Sequence, residues 1–146
     1  MGATAFTDRA SGKTADEAYR HAVDQALYWN GHGGYTGTIA EKDGFVIYDL
    51  PVLPPLDESY AALGRGWMSD PLQRYANALG SQPAYDTEDS VYPVIRQGAR
   101  DRKFLVERLG ERKFKEIADT YDEKWGPAVA IRLSDGEWGF MGYASR

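Results

Sequence analysis

The stretch TADEAYRHAVDQALYWNG, residues 14–31, predicts the first helix and sets the order of the elements around it. Thr14 and Glu17 have the spacing of a capping box, in which the hydroxyl accepts a backbone hydrogen bond and the carboxylate reaches back to the Thr14 amide. Apolar residues then recur every three or four positions, which is one face of an amphipathic helix. Gly31 is the expected helix stop. The β-tolerant segment 3–8 before the helix predicts a strand.

Two further segments predict strands. Asp43 and Gly44 lie between two β-prone runs, so we expect a hairpin with strands at 35–41 and 45–50. The segment 91–95 also has β-prone composition, and its proline would restrict the strand to an edge of the sheet.

The C-terminal segment predicts a second hairpin, with strands at 128–133 and 137–143 joined by a turn. We expect Trp138 and Phe140 to pack against the alternating apolar residues of the first strand. Those residues are Val129, Ile131 and Leu133.

The remaining periodic segments predict helices. Asp70 followed by a proline is the start of a short helix at 72–79, and 57–63 is a second candidate. Residues 80–90 have the composition of a solvated loop. The segment 100–125 is helical by composition, with a break or kink expected at Gly110.

Together these elements predict one α+β domain over residues 1–146. We expect a mostly antiparallel sheet, made of two hairpins and an edge strand. A long amphipathic N-terminal helix and a kinked C-terminal helix would pack on it. The length of 146 residues is enough for one hydrophobic core.

Composition excludes several classes of function. There is no cysteine, so a disulfide framework, a thiolate zinc site and a cysteine nucleophile are ruled out. With two histidines we expect no metal site and no cofactor. The sequence contains no apolar run near the ~20 residues of a membrane span and no secretion-signal core, so we expect a cytoplasmic protein without a membrane partner. The net charge of −5 makes nucleic acid an unlikely ligand.

The glycine-rich stretch 31–37 is the most unusual local feature. Its glycines allow close backbone approach to a ligand and can present amides to an anion. The alternative is a helix stop followed by a mobile loop. The residues that we expect to contact a ligand are Tyr28, Trp29, His32, Gly33, Gly34, Tyr35 and Thr36.

His32 is also the centre of a catalytic alternative. If the protein is an enzyme, His32 would be the general acid or base, assisted by Glu41 or Lys42. Glu41 and Lys42 are adjacent in a predicted strand, so unless the strand bulges they would point to opposite faces and only one could enter a site. An exposed surface histidine is the simpler interpretation.

Segment 96–115 is strongly basic, with eight bases against three acids, in an otherwise acidic chain. It predicts either a solvated helix face or a surface for phosphate, nucleic acid or an acidic partner. The residues assigned to partner binding are Arg100, Arg102, Lys103, Arg108 and Arg112.

The run GHGGYTGTIAEK, residues 31–42, resembles a family of small proteins encoded by tailed bacteriophages, including phages of actinobacteria. The resemblance covers residues 1–48. It implies an accessory protein that acts in the infected bacterium, often by modulating a host component or defence system, and it implies no catalytic residues.

We therefore expect a non-catalytic phage accessory protein in the host cytoplasm that binds a host protein or a small anionic ligand. An enzyme acting on a nucleotide or phosphoester is one alternative. A minor virion component is another, and the oligomeric state stays open.

Overall fold

A computed structural model describes residues 2–56, 70–80 and 92–146. Contacts divide the chain into two compact units, residues 1–49 with 119–146, and residues 50–118. The described strands are β1 (Ala3–Ser11), β2 (Phe45–Ile47), β3 (Ala128–Ser134) and β4 (Glu137–Ser145). The described helices are α1 (Ala15–Asn30), α2 (Pro71–Leu79), α3 (Pro93–Leu109) and α4 (Glu111–Asp122), with a 3₁₀ helix at Ile39–Glu41. The expectation of a single domain stays a prediction.

The four described strands form one mixed sheet in the order β1-β4-β3-β2. β4 pairs antiparallel with β1 and with β3, whereas β2 pairs parallel with β3. The α+β class is confirmed, but the expected layout of two antiparallel hairpins and an edge strand is wrong. The C-terminal hairpin, β3 with β4, is the part of that layout that forms.

The predicted hairpin over 35–41 and 45–50 does not form. Thr38 has an extended backbone, and its hydroxyl accepts a hydrogen bond from the Ala40 amide, which starts the 3₁₀ helix where the first strand was expected. β2 then pairs with β3, in the register Val46 to Val129. A capped 3₁₀ helix thus forms where the strand at 35–41 was expected, and the second predicted strand pairs with β3, which is distant in sequence.

α1 packs against one face of the sheet and buries small side chains there. The Thr14 hydroxyl caps α1 by accepting the Glu17 amide hydrogen at 3.2 Å. The predicted return bond from the Thr14 amide to the Glu17 carboxylate is not among the hydrogen bonds of the described residues. The core beneath α1 combines alanines with the ring of Phe140, which makes edge contacts with the rings of Tyr19 and Phe45. Alanine on both sides lets the helix approach closely enough for these rings to fill the space.

Trp138 and Phe140 lie on the opposite face from the one expected. Phe140 stands across from Ala130 and Trp138 across from Arg132, so neither shares a face with Val129 or Ile131. Residues directly opposite in an antiparallel pair point to the same side of the sheet. The prediction therefore had the correct hairpin with the wrong packing partners.

In the second unit, α2 and α3 pack against each other. α2 begins as predicted, because the Asp70 carboxylate accepts the Leu72 amide hydrogen and Pro71 occupies the first helical turn. The predicted edge strand at 91–95 is wrong, since α3 starts at Pro93. Proline is as well suited to the first turn of a helix as to a strand edge, and here Tyr92 is the extended residue before the helix.

The predicted break at Gly110 is confirmed. Gly110 has φ +89° and separates α3 from α4, so the expected kinked helix is two helices, and the first of them contacts α2. The predicted helix at 57–63 and loop residues 81–90 lie outside the described residues. In the described part of the chain no helix has the length and apolar character needed to cross a membrane.

Candidate functional site

The C-terminal end of α1 presents two aromatic side chains to solvent. Tyr28 is 79% and Trp29 72% exposed, and their rings touch edge to face with centroids 5.1 Å apart. Gly31 ends the helix directly after them, with φ +79° and its amide hydrogen bonded to the Leu27 carbonyl at 2.8 Å. We call Tyr28 and Trp29 the aromatic pair. Large exposed rings are the type of side chain that dominates protein interfaces.

A groove of about 340 Å³ lies between α1 and β1. Asp8 of β1 and Trp29 of α1 both line it, together with Gln25, Asn30 and Thr38. Burial raises the pKa of the Asp8 carboxyl above its ordinary value. The carboxylate therefore sits in a place that disfavours its charge, and it makes no ion pair with the residues that the structure describes.

Arg9 follows Asp8 in β1 and also lines the groove. Its guanidinium pairs with the Glu137 carboxylate, with 3.2 Å between Nη1 and Oε1.

The glycine-rich loop is folded around a carboxylate of its own chain. Positive φ angles at Gly34, Tyr35 and Gly37 curl the backbone, which directs successive amides inward. Glu41 accepts hydrogen bonds there from the Thr36 amide at 3.2 Å and the Thr36 hydroxyl at 2.7 Å. The carboxylate that these amides bind in the structure is that of Glu41.

The same contacts determine the pKa of Glu41. Burial raises it, but the hydrogen bonds from the Thr36 side chain, the Thr36 amide and the Tyr35 amide lower it more, so the net pKa lies below the ordinary value. These bonds favour the ionised carboxylate, so the Glu41 side chain stabilises the folded conformation of the loop.

We expect Glu41→Ala to lower the free energy of unfolding at neutral pH by about 1 kcal/mol, through the lost hydrogen bonds. A lowered folded-state pKa means that this stabilisation is complete above the ordinary value of 4.5 and is lost as pH falls through the folded-state value. Urea denaturation of both proteins at neutral and acidic pH should show the difference narrowing in acid. If the two proteins differed in free energy of unfolding by the same amount at every pH, the ionised Glu41 carboxylate would not be what stabilises the loop.

Lys42 is buried, and its ammonium is fully engaged. Nζ donates to the carbonyl oxygens of Glu123 at 2.8 Å, Lys124 at 3.4 Å and Tyr143 at 2.5 Å. Burial lowers the pKa of Lys42, and the negative charges of Glu123 and Asp43 partly oppose that shift. Lys42 therefore ties the 3₁₀ segment to β4 and to the end of α4.

No hydrogen bond between the described residues joins His32, Glu41 and Lys42, the three residues of the catalytic alternative. His32 is exposed and makes none with the described residues, and Gly33 and Gly34 beside it are exposed as well. The structure brings Thr36 to Glu41 and directs Lys42 to other partners. Tyr35 is 53% exposed at the curl of the loop.

The predicted basic surface belongs to the second unit, and part of it is structural. Arg102 donates from Nε to the Ala78 carbonyl at 2.9 Å and from Nη2 to the Gly80 carbonyl, so it caps the end of α2. The guanidinium of Arg108 lies 4.9 Å from the ring centroid of Phe104. The side chains of Arg100, Lys103 and Arg112 are exposed.

Asp8 is the site residue that sequence reasoning missed. The signal was present, because the alternation of a strand at 3–8 puts Phe6 and Asp8 on one face, and Phe6 is a core residue. In the structure this shared face leaves the Asp8 side chain half-buried. Its approach to Trp29 depends on how α1 returns across the sheet.

No protein-family model matches the chain, and no curated protein or solved structure matches it.

Proposed function

We propose that the protein is a non-catalytic binding protein whose first unit binds another protein through the aromatic pair and the adjoining groove. The observation that carries the proposal is the exposure of Tyr28 and Trp29, 79% and 72%, side by side at the end of α1, where Trp29 also lines the groove. Leaving two large rings in water costs hydrophobic free energy that a partner would recover. Tyrosine and tryptophan are also the residues most enriched at binding hot spots.

The loop favours a protein partner over a small anionic ligand. An anion at the amides of residues 35 and 36 would have to displace the Glu41 carboxylate, which already holds those donors. The groove beside the aromatic pair carries the carboxylate of Asp8, which would repel an anion.

The geometry also favours binding over catalysis. An enzyme built on His32 needs a carboxylate or other titratable group within hydrogen-bond reach. His32 is without such a partner among the described residues, while Glu41 and Lys42 are engaged in bracing the backbone.

In this proposal the partner is a protein of the infected bacterium, and binding takes place in the host cytoplasm. The support is the resemblance of residues 31–42 to the phage family, which implies modulation of a host component. Fold by itself carries no such implication.

The test is affinity capture from an actinobacterial lysate with the wild-type chain and a Tyr28→Ser/Trp29→Ser variant, followed by mass spectrometry of proteins and small molecules. We expect the wild type to retain a host protein in stoichiometric amount and the variant to lose it. The retained protein is then purified, and its affinity for both chains is measured. We expect at least about a thirtyfold loss for the variant, since even one hot-spot aromatic contributes about 2 kcal/mol or more.

The control reverses the charge of Arg100, Lys103, Arg108 and Arg112, which lie in the second unit. This variant should retain the partner. Loss in the control with full retention by the aromatic variant would assign binding to the basic surface and refute the proposal. A retained nucleotide without a retained protein would refute it as well.

A further inference from the structure

β1 is an edge strand in the described sheet, and its register defines which backbone groups face outward. β1 pairs with β4 along all nine of its residues and with no other described strand. Just beyond its ends, the Gly2 carbonyl accepts the Arg146 amide hydrogen at 3.1 Å and the Gly12 amide donates to the Gly136 carbonyl at 3.0 Å. Because hydrogen-bonded pairs alternate in an antiparallel ladder, the even-numbered residues of β1 face β4 and the odd-numbered ones face away.

The outer edge of β1 has donors and acceptors in strand geometry. The Ser11 carbonyl, at the end of the strand, lies 2.7 Å from Nδ1 of His21, which is consistent with an outward direction of the odd-numbered groups. The backbone groups of Ala3, Ala5 and Thr7 make no hydrogen bond with the described residues on that side. A nine-residue edge is longer than the mean strand of five or six residues, and native proteins usually cover or shorten such an edge.

Three features of the groove beside this edge favour a positively charged group, and Arg9, the cation that also lines it, is paired with the Glu137 carboxylate. The Asp8 carboxylate lines it without an ion-pair partner among the described residues. The exposed indole ring of Trp29 can bind a cation on its face. The C-terminal end of α1 carries the negative end of the helix dipole, and its last turn has no basic residue.

We propose that β1 accepts an extended segment of the partner protein as an added strand, and that Asp8 and Trp29 bind a lysine or arginine side chain of that segment. This inference rests on the proposed function and specifies its partner. Strand addition derives affinity from main-chain hydrogen bonds and specificity from pockets for alternate side chains. Side chains of an added strand that share the face of Asp8 would point into the groove.

The energetic state of Asp8 fits this role. Burial raises the pKa of its carboxyl, so the ionised side chain costs folding stability at neutral pH. Asp8→Asn should therefore leave the melting temperature unchanged or raise it, while it weakens binding. A residue kept for packing alone would behave in the opposite way.

The test uses blocked heptapeptides of alternating threonine and valine with a central lysine, arginine, norleucine or glutamate. Binding to the full ¹⁵N-labelled chain is followed by NMR at peptide concentrations up to the millimolar range. We expect the lysine and arginine peptides to shift the amides of Ala5 and Thr7 and the indole N–H of Trp29. The norleucine peptide should bind about tenfold more weakly, and N-methylation of alternate peptide amides should abolish binding.

Two substitutions sharpen the result. Asp8→Asn should remove the preference for lysine over norleucine, whereas Asp16→Asn, an exposed carboxylate in the first turn of α1, should keep it. The inference is overturned if none of the peptides binds, if shifts appear only in residues 96–115, or if lysine and norleucine bind equally. Concentration-dependent shifts of the Ala5 and Thr7 amides without peptide would assign the edge to a second copy of this chain and would also overturn it.

The two proposals can fail separately. If the lysate protein depends on the aromatic pair but the peptides do not bind, the binding function stands and the strand-addition mode is wrong. If the aromatic variant retains the lysate protein in full, the proposed function fails, whatever the peptides do.

Discussion

Asp101→Ala is expected to lower the free energy of unfolding by about 3–5 kcal/mol, the range found when one partner of a buried ion pair is removed. The Arg74 guanidinium meets the Asp101 carboxylate at two points, with Nε–Oδ2 at 3.0 Å and Nη2–Oδ1 at 2.8 Å. The side chains are 9% and 1% exposed, and Gln97 donates a further bond to Oδ1 at 2.9 Å. Without Asp101 the guanidinium would remain buried with its charge uncompensated.

An exposed pair of the same residue types is the control. Arg132 and Asp135 lie 2.6 Å apart, closer than Arg74 and Asp101, but Asp135 is fully exposed. We expect Asp135→Ala to lower the free energy of unfolding far less, because water already screens the charges of this exposed pair in the folded protein. Urea denaturation followed by circular dichroism would measure both variants. Equal losses would show that burial does not determine the strength of the pair at Asp101.

Lys42→Met is expected to lower the free energy of unfolding by about 2–3 kcal/mol. Methionine is likewise unbranched and reaches as far as the lysine Cε, but it has no ammonium and donates no hydrogen bond. The substitution would leave the carbonyls of Glu123, Lys124 and Tyr143 without the ammonium that now joins them. Buried acceptors that lose their donor pay the full cost of desolvation, which exceeds what the removed charge returns.

Lys13→Met is the matched control, because Lys13 is exposed just before α1. It should leave the denaturation midpoint unchanged. If Lys42→Met is as stable as the wild type, the ammonium has no bracing role, and Lys42 would again be a candidate for chemistry.

Local features were predictable where neighbouring residues supply the interaction. The caps at Thr14 and Asp70, the helix stop at Gly31 and the break at Gly110 all depend on backbone groups within a few residues. The C-terminal hairpin was predictable for the same reason, since its turn joins strands that are adjacent in sequence.

Pairing between distant segments was not predictable. The segment 45–50 has the composition of a strand in either arrangement, and its parallel partner is Ala128–Ser134. The prediction for segment 91–95 was wrong for a different reason. A proline beside β-branched residues is compatible with an edge strand and with the first turn of a helix. Composition alone does not separate those two states.

The candidate site divides in the same way. By itself the sequence determined that α1 ends at an aromatic pair followed by a glycine-rich turn, because periodicity and capping are local. Only the tertiary structure decided that Glu41 fills the turn, that Lys42 is buried, and that Asp8 and Trp29 share a groove beside an edge strand of the described sheet. The physical reason is the insertion of β4 between β1 and β3, which joins the two ends of the chain and leaves β1 at the edge of the described sheet.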